Sequence, residues 1–358
     1  MECCAERGAM LHSCVWGYTM KFVTFRRFGS GSEARAGVLL PLGIIDLKAA
    51  APLVYEESES RDWSLLGILN GESEGYGIDS AAQIAAAVID ELGGGVDPLE
   101  WDDPDALDGT LSIGGETVLY SPNSIRLLAP IPRPPSVRDF YAFEQHVKNA
   151  YGNLGRPVPP TWYEMPVFYF GNPSTIYGPD ADVPMPRTAQ LDYELEIAAI
   201  IGRTCRDVDA QDAEYYIAGY TIMNDWSARD VQTREMKVGL GPAKGKDFAT
   251  SLGPALVTSD EFEDKAVGDG RYDLAMTVRV NGEERGRGSF ADMHYTFGEL
   301  LAHASRDVTL YPGDVIGSGT VGTGCLLETT DGKGPWLEAG DVVELAIERL
   351  GVLRNTVV

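Results

Sequence analysis

Acidic residues at three places in this chain have neighbours suited to carbonyl chemistry. Asp139 is followed by His146. Glu194 and Glu196 are two residues apart, and Asp225 comes after an apolar run. Carboxylate oxygens are the ligands that hard divalent cations prefer. Such a cation is a Lewis acid, and a nearby histidine can take a proton from water. The four carboxylates therefore predict a metal site that could polarise a carbonyl group.

The spacing of Glu194 and Glu196 indicates that both carboxylates point the same way. Residues 192–201 are predicted as a β-strand, in which side chains two residues apart lie on one face. Two like charges on an otherwise apolar strand are costly unless a positive group balances them. A bound cation would balance them. The alternative is a solvated edge of a sheet.

Asp225 is followed by Arg229 and Gln232, at the spacing of one helical face. One interpretation is a metal ligand beside a cation and an amide that hold an anionic substrate. The alternative is an aspartate that caps a helix and forms a surface salt bridge. His146 lies seven residues after Asp139, so the two could share a face if the chain between them is helical. As one of only four histidines, it is a candidate base.

Two glycine-containing stretches come near nucleotide-binding motifs but fit them poorly. After Lys246, Asp247 stands where a P-loop needs Ser or Thr. Residues 317–322 have the Gly-x-Gly-x-x-Gly spacing, but residues 325–328 are predicted as a strand instead of the required helix. We interpret residues 317–322 as a tight loop where the backbone approaches a ligand. Glu328 could orient a histidine or be a surface strand carboxylate.

Periodicity and turn residues predict an α+β chain that is mostly β, with a twisted sheet or barrel in its second part. Residues 1–19 are expected to be a disordered extension ahead of Met20, and the proline-rich segment 122–135 marks a boundary between domains 20–125 and 126–358. The predicted strands cover residues 21–26, 36–40, 44–47, 192–201, 217–223, 275–280, 314–316 and 342–347, the predicted helices 79–92 and 295–304, and a loop 96–110.

Composition excludes several function classes. The chain has 358 residues and a formal net charge of -25, which argues against nucleic acid or an anionic membrane as a partner. No apolar run reaches the ~18–20 residues that span a bilayer, and no secretory signal is recognised. Five cysteines are too few for a disulfide framework, so a reducing cytoplasm is expected.

Several ordered motifs resemble those of the fumarylacetoacetate hydrolase family. They are Arg138-Asp139-Phe140-Tyr141 with His146, Pro166-Val167-Phe168-Tyr169, and residues 192–196, 224–232, 245–248 and 317–320. The resemblance covers residues 20–358. It implies the family's catalytic domain, a mixed β-sandwich or β-roll, with a smaller N-terminal α+β domain, usually in a homodimer.

The resemblance also implies a role for each matching residue. The metal, Mg²⁺ in the first place with Ca²⁺ or Mn²⁺ as alternatives, would be held by Asp139, Glu194, Glu196 and Asp225. The substrate would be bound by Tyr141, Tyr169, Gly319 and Thr320. The catalytic groups would be Lys246, Arg229, Gln232 and a water-activating pair of His146 and Glu328. Met236 and Lys237 fall where the animal-type enzyme offers a substrate-contacting tyrosine, and residues 150–164 could form a lid.

The implied activity is hydrolysis of a carbon–carbon bond in a small 1,3-dicarbonyl acid such as an acylpyruvate, of the kind met in aromatic catabolism. It would proceed through a metal-chelated enolate and water activated by His146. One alternative is a decarboxylase, tautomerase or hydratase acting on a 2-keto acid of the oxaloacetate or 2-keto-4-pentenoate type at the same site. Another is a metal-dependent binding protein without catalytic activity.

Overall fold

The computed structural model describes residues 20–29, 31–41, 43–56, 58, 60–71, 76–92, 110–153 and 155–358. The extension predicted for residues 1–19 and nearly all of the loop predicted for residues 96–110 lie outside this part of the chain. The structure divides into two compact units. One extends to Arg126 and includes Val257–Glu261, and the other comprises Leu127–Leu256 and Phe262–Val358.

The first unit combines antiparallel strands with three short helices. Its strands follow the order β4-β5-β3-β2-β1, and β6 runs across the boundary with the second unit. The elements are β1 (Lys21–Arg27), β2 (Arg35–Leu40), β3 (Gly43–Asp46), α1 (Leu47–Ala50), α2 (Leu65–Asn70), α3 (Ile78–Glu91), β4 (Leu111–Ile113), β5 (Glu116–Tyr120) and β6 (Ile125–Leu128).

The second unit contains two larger sheets. One has the order β15-β13-β12-β20-β7-β8, and the other has the order β10-β22-β21-β18-β19. The strands are β7 (Val137–Phe140), β8 (Phe168–Gly171), β9 (Ile176–Tyr177), β10 (Asp182–Val183), β11 (Leu191–Asp192), β12 (Leu195–Ile201), β13 (Ile217–Asp225), β14 (Ser227–Ala228), β15 (Thr250–Val257), β16 (Ala266–Gly268), β17 (Arg271–Tyr272), β18 (Ala275–Val280), β19 (Glu283–Ser289), β20 (Val315–Gly317), β21 (Val342–Ile347) and β22 (Gly351–Val357).

The described residues of the second unit also form the α-helices α4 (Glu144–Asn153), α5 (Arg229–Glu235), α6 (Phe297–Ser305) and α7 (Leu326–Thr329). The prediction of a mostly β, α+β chain is confirmed. None of the helices among the described residues is long and apolar enough to cross a membrane.

An aromatic cluster fixes β13 in the core of the second unit. Tyr220 is almost fully buried, and its ring lies 5.3 Å from Phe297, 5.7 Å from Phe290 and 5.8 Å from Phe262, measured between centroids. Rings at these separations and steep angles gain about 0.5–1.5 kcal/mol per pair beyond the area that they bury. The carboxyl end of β13, where Asp225 lies, is therefore held on a rigid strand.

Strand register brings the predicted ligands to one face of the first sheet. Glu196 on β12 pairs with Met223 on β13, two residues before Asp225. Gly317 on β20 pairs with Asp139 on β7. Ala198, two residues after Glu196, pairs with Gly317. Directly opposed residues and residues two apart share a face, so the three carboxylates converge.

Three local expectations are corrected. The strand predicted for residues 192–201 is interrupted, since β11 ends at Asp192 and β12 begins at Leu195. Residues 326–329 form the short helix α7, where a strand was expected. Asp225 ends β13 and lies outside α5, whose N-cap residue is Ala228, so the helix-capping alternative for Asp225 is wrong.

Candidate active site

Three carboxylates form a compact buried cluster in the second unit. One oxygen each from Asp139, Glu196 and Asp225 lies within 4.8 Å of the others. All three side chains are almost inaccessible to solvent, with relative exposures of 3%, 0% and 0%. Glu196 Oε2 and Asp225 Oδ1 are buried without a hydrogen-bond partner. Buried carboxylate oxygens without partners are strongly unfavourable, so this cluster is arranged for a positive ligand.

The close approach of these carboxylates also raises the pKa values of two of them. Burial, followed by the charge of Asp225, raises the pKa of Asp139 well above its usual value. Burial, followed by the charges of Asp139 and Asp225, does the same to the pKa of Glu196. Without a cation, the raised pKa values favour the protonated forms of Asp139 and Glu196, which reduces the repulsion within the cluster. A divalent cation would replace the protons and satisfy the two unpartnered oxygens, so the residues present fit a metal ion.

Glu194, the fourth predicted ligand, is turned toward two cations. Lys246 Nζ contacts both Glu194 and Asp225, and Arg229 Nη1 lies 2.8 Å from Glu194 Oε1. Burial alone would raise the pKa of Glu194, but the charges of Lys246 and Arg229 hold it well below its usual range. In this structure the cluster that could hold a metal therefore includes three of the four predicted carboxylates.

The environment of Arg229 and Gln232 also differs from the prediction. Arg229 Nε donates to Asp192 Oδ2 at 2.8 Å, and Nη1 donates to Gln232 Oε1 at 3.2 Å. Together with the ion pair to Glu194, these contacts engage the guanidinium with groups of the protein. The guanidinium is held by internal contacts in this structure, and its predicted contact with a substrate carboxylate stays a prediction.

Tyr169, Thr320 and Gly319 lie at the cluster as predicted by the motifs. The Tyr169 hydroxyl donates to Asp225 Oδ2 at 2.6 Å, and Thr320 Oγ1 lies 3.4 Å from Glu196 Oε1. The backbone N–H of Gly319 donates to Asp139 Oδ1 at 3.2 Å. Gly319 has φ +77°, and a Cβ there would lie 2.4 Å from the carbonyl oxygen of Phe140, so only glycine fits.

His146 and Glu328 form a buried pair. His146 Nδ1 lies 2.5 Å from Glu328 Oε1. Burial alone would raise the pKa of Glu328, but hydrogen bonds led by the one from His146 lower it. The ionised carboxylate therefore selects the tautomer in which Nδ1 carries the proton, leaving Nε2 as an acceptor. Asp139 lies on β7 and His146 on α4, which begins at Glu144, so the two do not share one helical face.

Tyr141 packs against this pair and follows the carboxylate cluster closely in sequence. It comes two residues after Asp139, and its ring packs edge-on against His146 with centroids 5.1 Å apart. The Trp162 indole donates to the Tyr141 carbonyl at 2.9 Å, and Trp162 is 5% exposed. Trp162 belongs to the segment expected to form a lid. Whether residues 150–164 move stays a prediction, but one buried side chain ties them to the site.

A family profile described as "Fumarylacetoacetate (FAA) hydrolase C-terminal" matches residues 136–358, which include every residue placed at the site. The chain belongs to the fumarylacetoacetate hydrolase family. The resemblance drawn from the motifs is thereby confirmed. Met236, which falls where the animal-type enzyme offers a substrate-contacting tyrosine, is 52% exposed.

Relatives within the fumarylacetoacetate hydrolase family carry out different reactions. The human mitochondrial oxaloacetate tautomerase is 37% identical over 66% of this chain and 70% of its own length. A 2,4-didehydro-3-deoxy-L-rhamnonate hydrolase from Sphingomonas sp. is 37% identical over 54% of this chain and 65% of its own. The solved fumarylacetoacetate hydrolase from Exiguobacterium antarcticum is 29% identical, with TM-score 0.63 over 94% of this chain and 99% of the other.

Sequence reasoning missed several residues that support the family's site here. Asn149 Nδ2 donates to Glu328 Oε2 at 2.5 Å, and the backbone N–H of Thr323 donates to the same oxygen at 3.0 Å. Cys325 Sγ lies 3.4 Å from Glu328 Oε1. A helical spacing of three residues between His146 and Asn149 was a signal available in the sequence. The contacts from residues 323–325 depend on a loop conformation that no spacing rule predicts.

A cavity of about 450 Å³ opens beside the cluster. Lys246 and Tyr169, which contact Asp225, line it together with Phe170, Asn172 and the segment 242–244. Burial alone would lower the pKa of Lys246, but the charges of Asp225 and Glu194 raise it. The Lys246 ammonium, paired with Glu194 and Asp225, therefore lies at the wall of this cavity next to the carboxylate cluster.

Proposed function

We propose that this protein is a metal-dependent hydrolase that cleaves a carbon–carbon bond in a small 1,3-dicarbonyl acid of the acylpyruvate class. The observation that carries the proposal is the buried pair of His146 and Glu328, 2.5 Å apart. Tyr141 packs against His146 and comes two residues after Asp139, which belongs to the cluster of three buried carboxylates. A base oriented by a carboxylate is the arrangement that activates water in many hydrolases.

Asp139, Glu196 and Asp225 would hold the cation, with Mg²⁺, Ca²⁺ and Mn²⁺ as candidates. When bound, a divalent cation supplies Lewis-acid polarisation of the keto oxygen of the substrate. The chain keeps the centre dry, since all three side chains are buried. Electrostatic interactions are stronger in such a site than in water.

The residues of the chain supply proton transfer and charge. His146 Nε2 takes a proton from water, while Glu328 holds the imidazolium through Nδ1. The hydroxide adds to the distal carbonyl carbon, and the carbon–carbon bond breaks with its electron pair going to the keto-acid fragment. Lys246 stabilises the negative charge that develops on oxygen, and the fragment then takes the proton back.

A second candidate is keto–enol tautomerisation of a 2-keto dicarboxylic acid. It is favoured by the human relative named as an oxaloacetate tautomerase, which is 37% identical. The same pair could move a proton between carbon and oxygen without adding water. The two candidates differ in product, because hydrolysis yields two fragments and tautomerisation leaves the carbon skeleton intact.

A substrate panel separates the candidates. Metal-loaded protein is incubated with several acylpyruvates, and the release of pyruvate is measured. In parallel it is incubated with enol-oxaloacetate, and the loss of enol absorbance is measured. We expect pyruvate release that falls about 10²–10⁴-fold in His146→Asn. Loss of enol absorbance without pyruvate release would favour the tautomerase. Turnover of no substrate would favour a metal-dependent binding protein and overturn both.

A further inference from the structure

A buried aspartate connects the carboxylate cluster with the histidine–glutamate pair. Asp192 ends β11 and is fully buried. Its Oδ2 accepts hydrogen bonds from Arg229 Nε at 2.8 Å and from the backbone N–H of Leu327 at 3.0 Å. Its Oδ1 accepts from the backbone N–H groups of Leu326 at 2.8 Å and Tyr193 at 2.9 Å. One carboxylate thus holds three chain segments.

The first of these segments is the helix α7 that carries Glu328. It has four residues, and helices this short are not stable by themselves. Its N-cap residue, Cys325, forms no side-chain capping hydrogen bond. Asp192 accepts the N–H groups that a capping residue would satisfy, although it lies 134 residues from Leu326 in the chain. It also places negative charge at the helix N-terminus, where such charge is favourable.

The second segment leads to the metal carboxylates. Arg229 Nη2 lies 2.7 Å from Asp192 Oδ2, and Nη1 lies 2.8 Å from Glu194 Oε1. Lys246 then joins Glu194 to Asp225. Charges of alternating sign therefore run from Asp192 to the cluster. Every member is buried, so removing the charge of Asp192 acts first on Arg229, which keeps Glu194 as its remaining carboxylate partner.

We propose that Asp192 is a positioning residue that holds Glu328, and through it His146, in register with the metal carboxylates. This inference rests on the proposed function, because it concerns the same reaction. Asp192 contacts neither the carboxylate cluster nor the imidazole, so it acts through α7 and Arg229. Its removal should leave metal binding in place and disorder the base.

The first test is Asp192→Asn, which keeps the size of the side chain but turns one acceptor into a donor. We expect the bound metal content to be unchanged, the KM to move by only a few-fold, and kcat to fall about 10²-fold. Loss of metal together with activity would overturn the positioning role.

A double variant shows whether Asp192 acts through Glu328. If it does, adding Asp192→Asn to Glu328→Gln lowers kcat little beyond Glu328→Gln alone, because the two changes disable the same function. Independent losses that multiply in the double variant would overturn the proposal.

A spectroscopic readout works without any substrate. Two-bond ¹H–¹⁵N correlation spectra distinguish the tautomers of a histidine ring, and His146→Asn assigns the signal. The wild-type protein should show the tautomer protonated on Nδ1, and Asp192→Asn should lose it or mix it with the other. An unchanged His146 signal would overturn the positioning role. A changed signal in a protein that turns over no substrate would count against the proposed function alone.

Asp46 provides a matched control in the other unit. It is fully buried, accepts from the backbone N–H groups of Lys48 at 3.1 Å and Ala49 at 3.2 Å, and pairs with Arg35 at 2.8 Å. Like Asp192, it caps a four-residue helix while pairing with an arginine. Asp46→Asn should lower the melting temperature comparably and leave both kcat and the His146 signal unchanged. An equal change in His146 would show a general effect of destabilisation.

Discussion

The three side chains of the carboxylate cluster lower the stability of the folded protein unless a cation is bound. Asp139, Glu196 and Asp225 lie within reach of one another and are buried, and two of their oxygens have no partner. The tight packing of the surrounding strands prevents the carboxylates from moving apart. Affinity for metal and a cost to the metal-free fold therefore arise from the same side chains.

Glu196→Gln should lower metal affinity while stabilising the metal-free protein. The amide replaces a buried carboxyl that needs a proton or a cation, because burial and the charges of Asp139 and Asp225 raise its pKa well above its usual value. We expect bound metal to be lost and activity to fall at least ~10²-fold, as after loss of an electrostatic group. Metal analysis and the melting temperature of chelator-treated protein measure both effects. Asp314→Asn is the control, because Asp314 is also buried but accepts a hydrogen bond from Ser136. The Asp314→Asn variant should keep its bound metal.

The same crowding predicts how stability depends on pH. Asp139 and Glu196 have raised pKa values in the folded protein, so the folded state binds more protons than the unfolded chain above about pH 4. The free energy of unfolding of the metal-free protein therefore falls as pH rises through the folded pKa values. Bound metal replaces those protons and removes this loss.

Melting temperatures of metal-free and metal-loaded protein test this between about pH 5 and about pH 8. The difference between the two forms should widen with pH, and it should widen less in Glu196→Gln. A difference that stays constant or narrows would show that these carboxyls do not keep protons in the metal-free fold.

At the scale of the elements, strand register was the part that the sequence could not supply. Strands 275–280 and 342–347 were predicted at their observed bounds, because alternating burial is a local signal. The pairing of Gly317 with Asp139 joins residues far apart in the chain and depends on the whole sheet. Spacing alone therefore identified candidate ligands without showing which of them meet.

The same limit explains the wrong prediction for α7 and the contacts that Glu194 makes in this structure. The apolar residues 325–327 read as strand, but Asp192 supplies helix-capping contacts from a distant segment. Glu194 was expected to face a cation with Glu196. A hydrogen bond from its N–H to Asn224 Oδ1 at 3.0 Å accompanies the break before β12, and Lys246 and Arg229 engage its carboxylate. Long-range partners decided both cases.

The close packing of β20 against β7 gives a test at this scale. A Cβ on Gly317 would lie 2.4 Å from Asp139 Oδ1 and 3.0 Å from the methyl group of Met223. Gly317→Ala should therefore displace the Asp139 carboxylate and lower metal affinity at least ~10-fold, as when support of a ligand is lost. Titration with metal measures the loss.

Gly152→Ala is the control for that variant. Gly152 lies in α4, and a Cβ there would meet nothing within 4 Å. This change should leave metal affinity intact and raise stability by roughly 0.5–1 kcal/mol, because alanine favours helices. Equal metal affinity in Gly317→Ala would show that the strand can shift without cost to the ligand.

At the scale of the molecule, the sequence predicted the mostly β class and the family, and the structure supplied the site. The chain has a net charge of -25, yet at its centre Arg229 and Lys246 pair with Glu194, and three further carboxylates lie close to one another. The net charge reflects mainly residues on the protein surface. The carboxylate cluster instead depends on buried residues that come from separate strands. The homodimer implied by the resemblance stays a prediction.

The anchoring of Trp162 makes the protein its own optical reporter. Its indole bonds the carbonyl of Tyr141 and packs 4.9 Å from the ring of His294, so its emission depends on the geometry next to the base. A ligand that moves Tyr141 should change the fluorescence of the native protein, without any label. Trp162→Phe should remove the part of the change that Trp162 contributes, while Trp63→Phe in the other unit should preserve it. Ligand binding could then be measured by tryptophan fluorescence in inactive variants, which form no product.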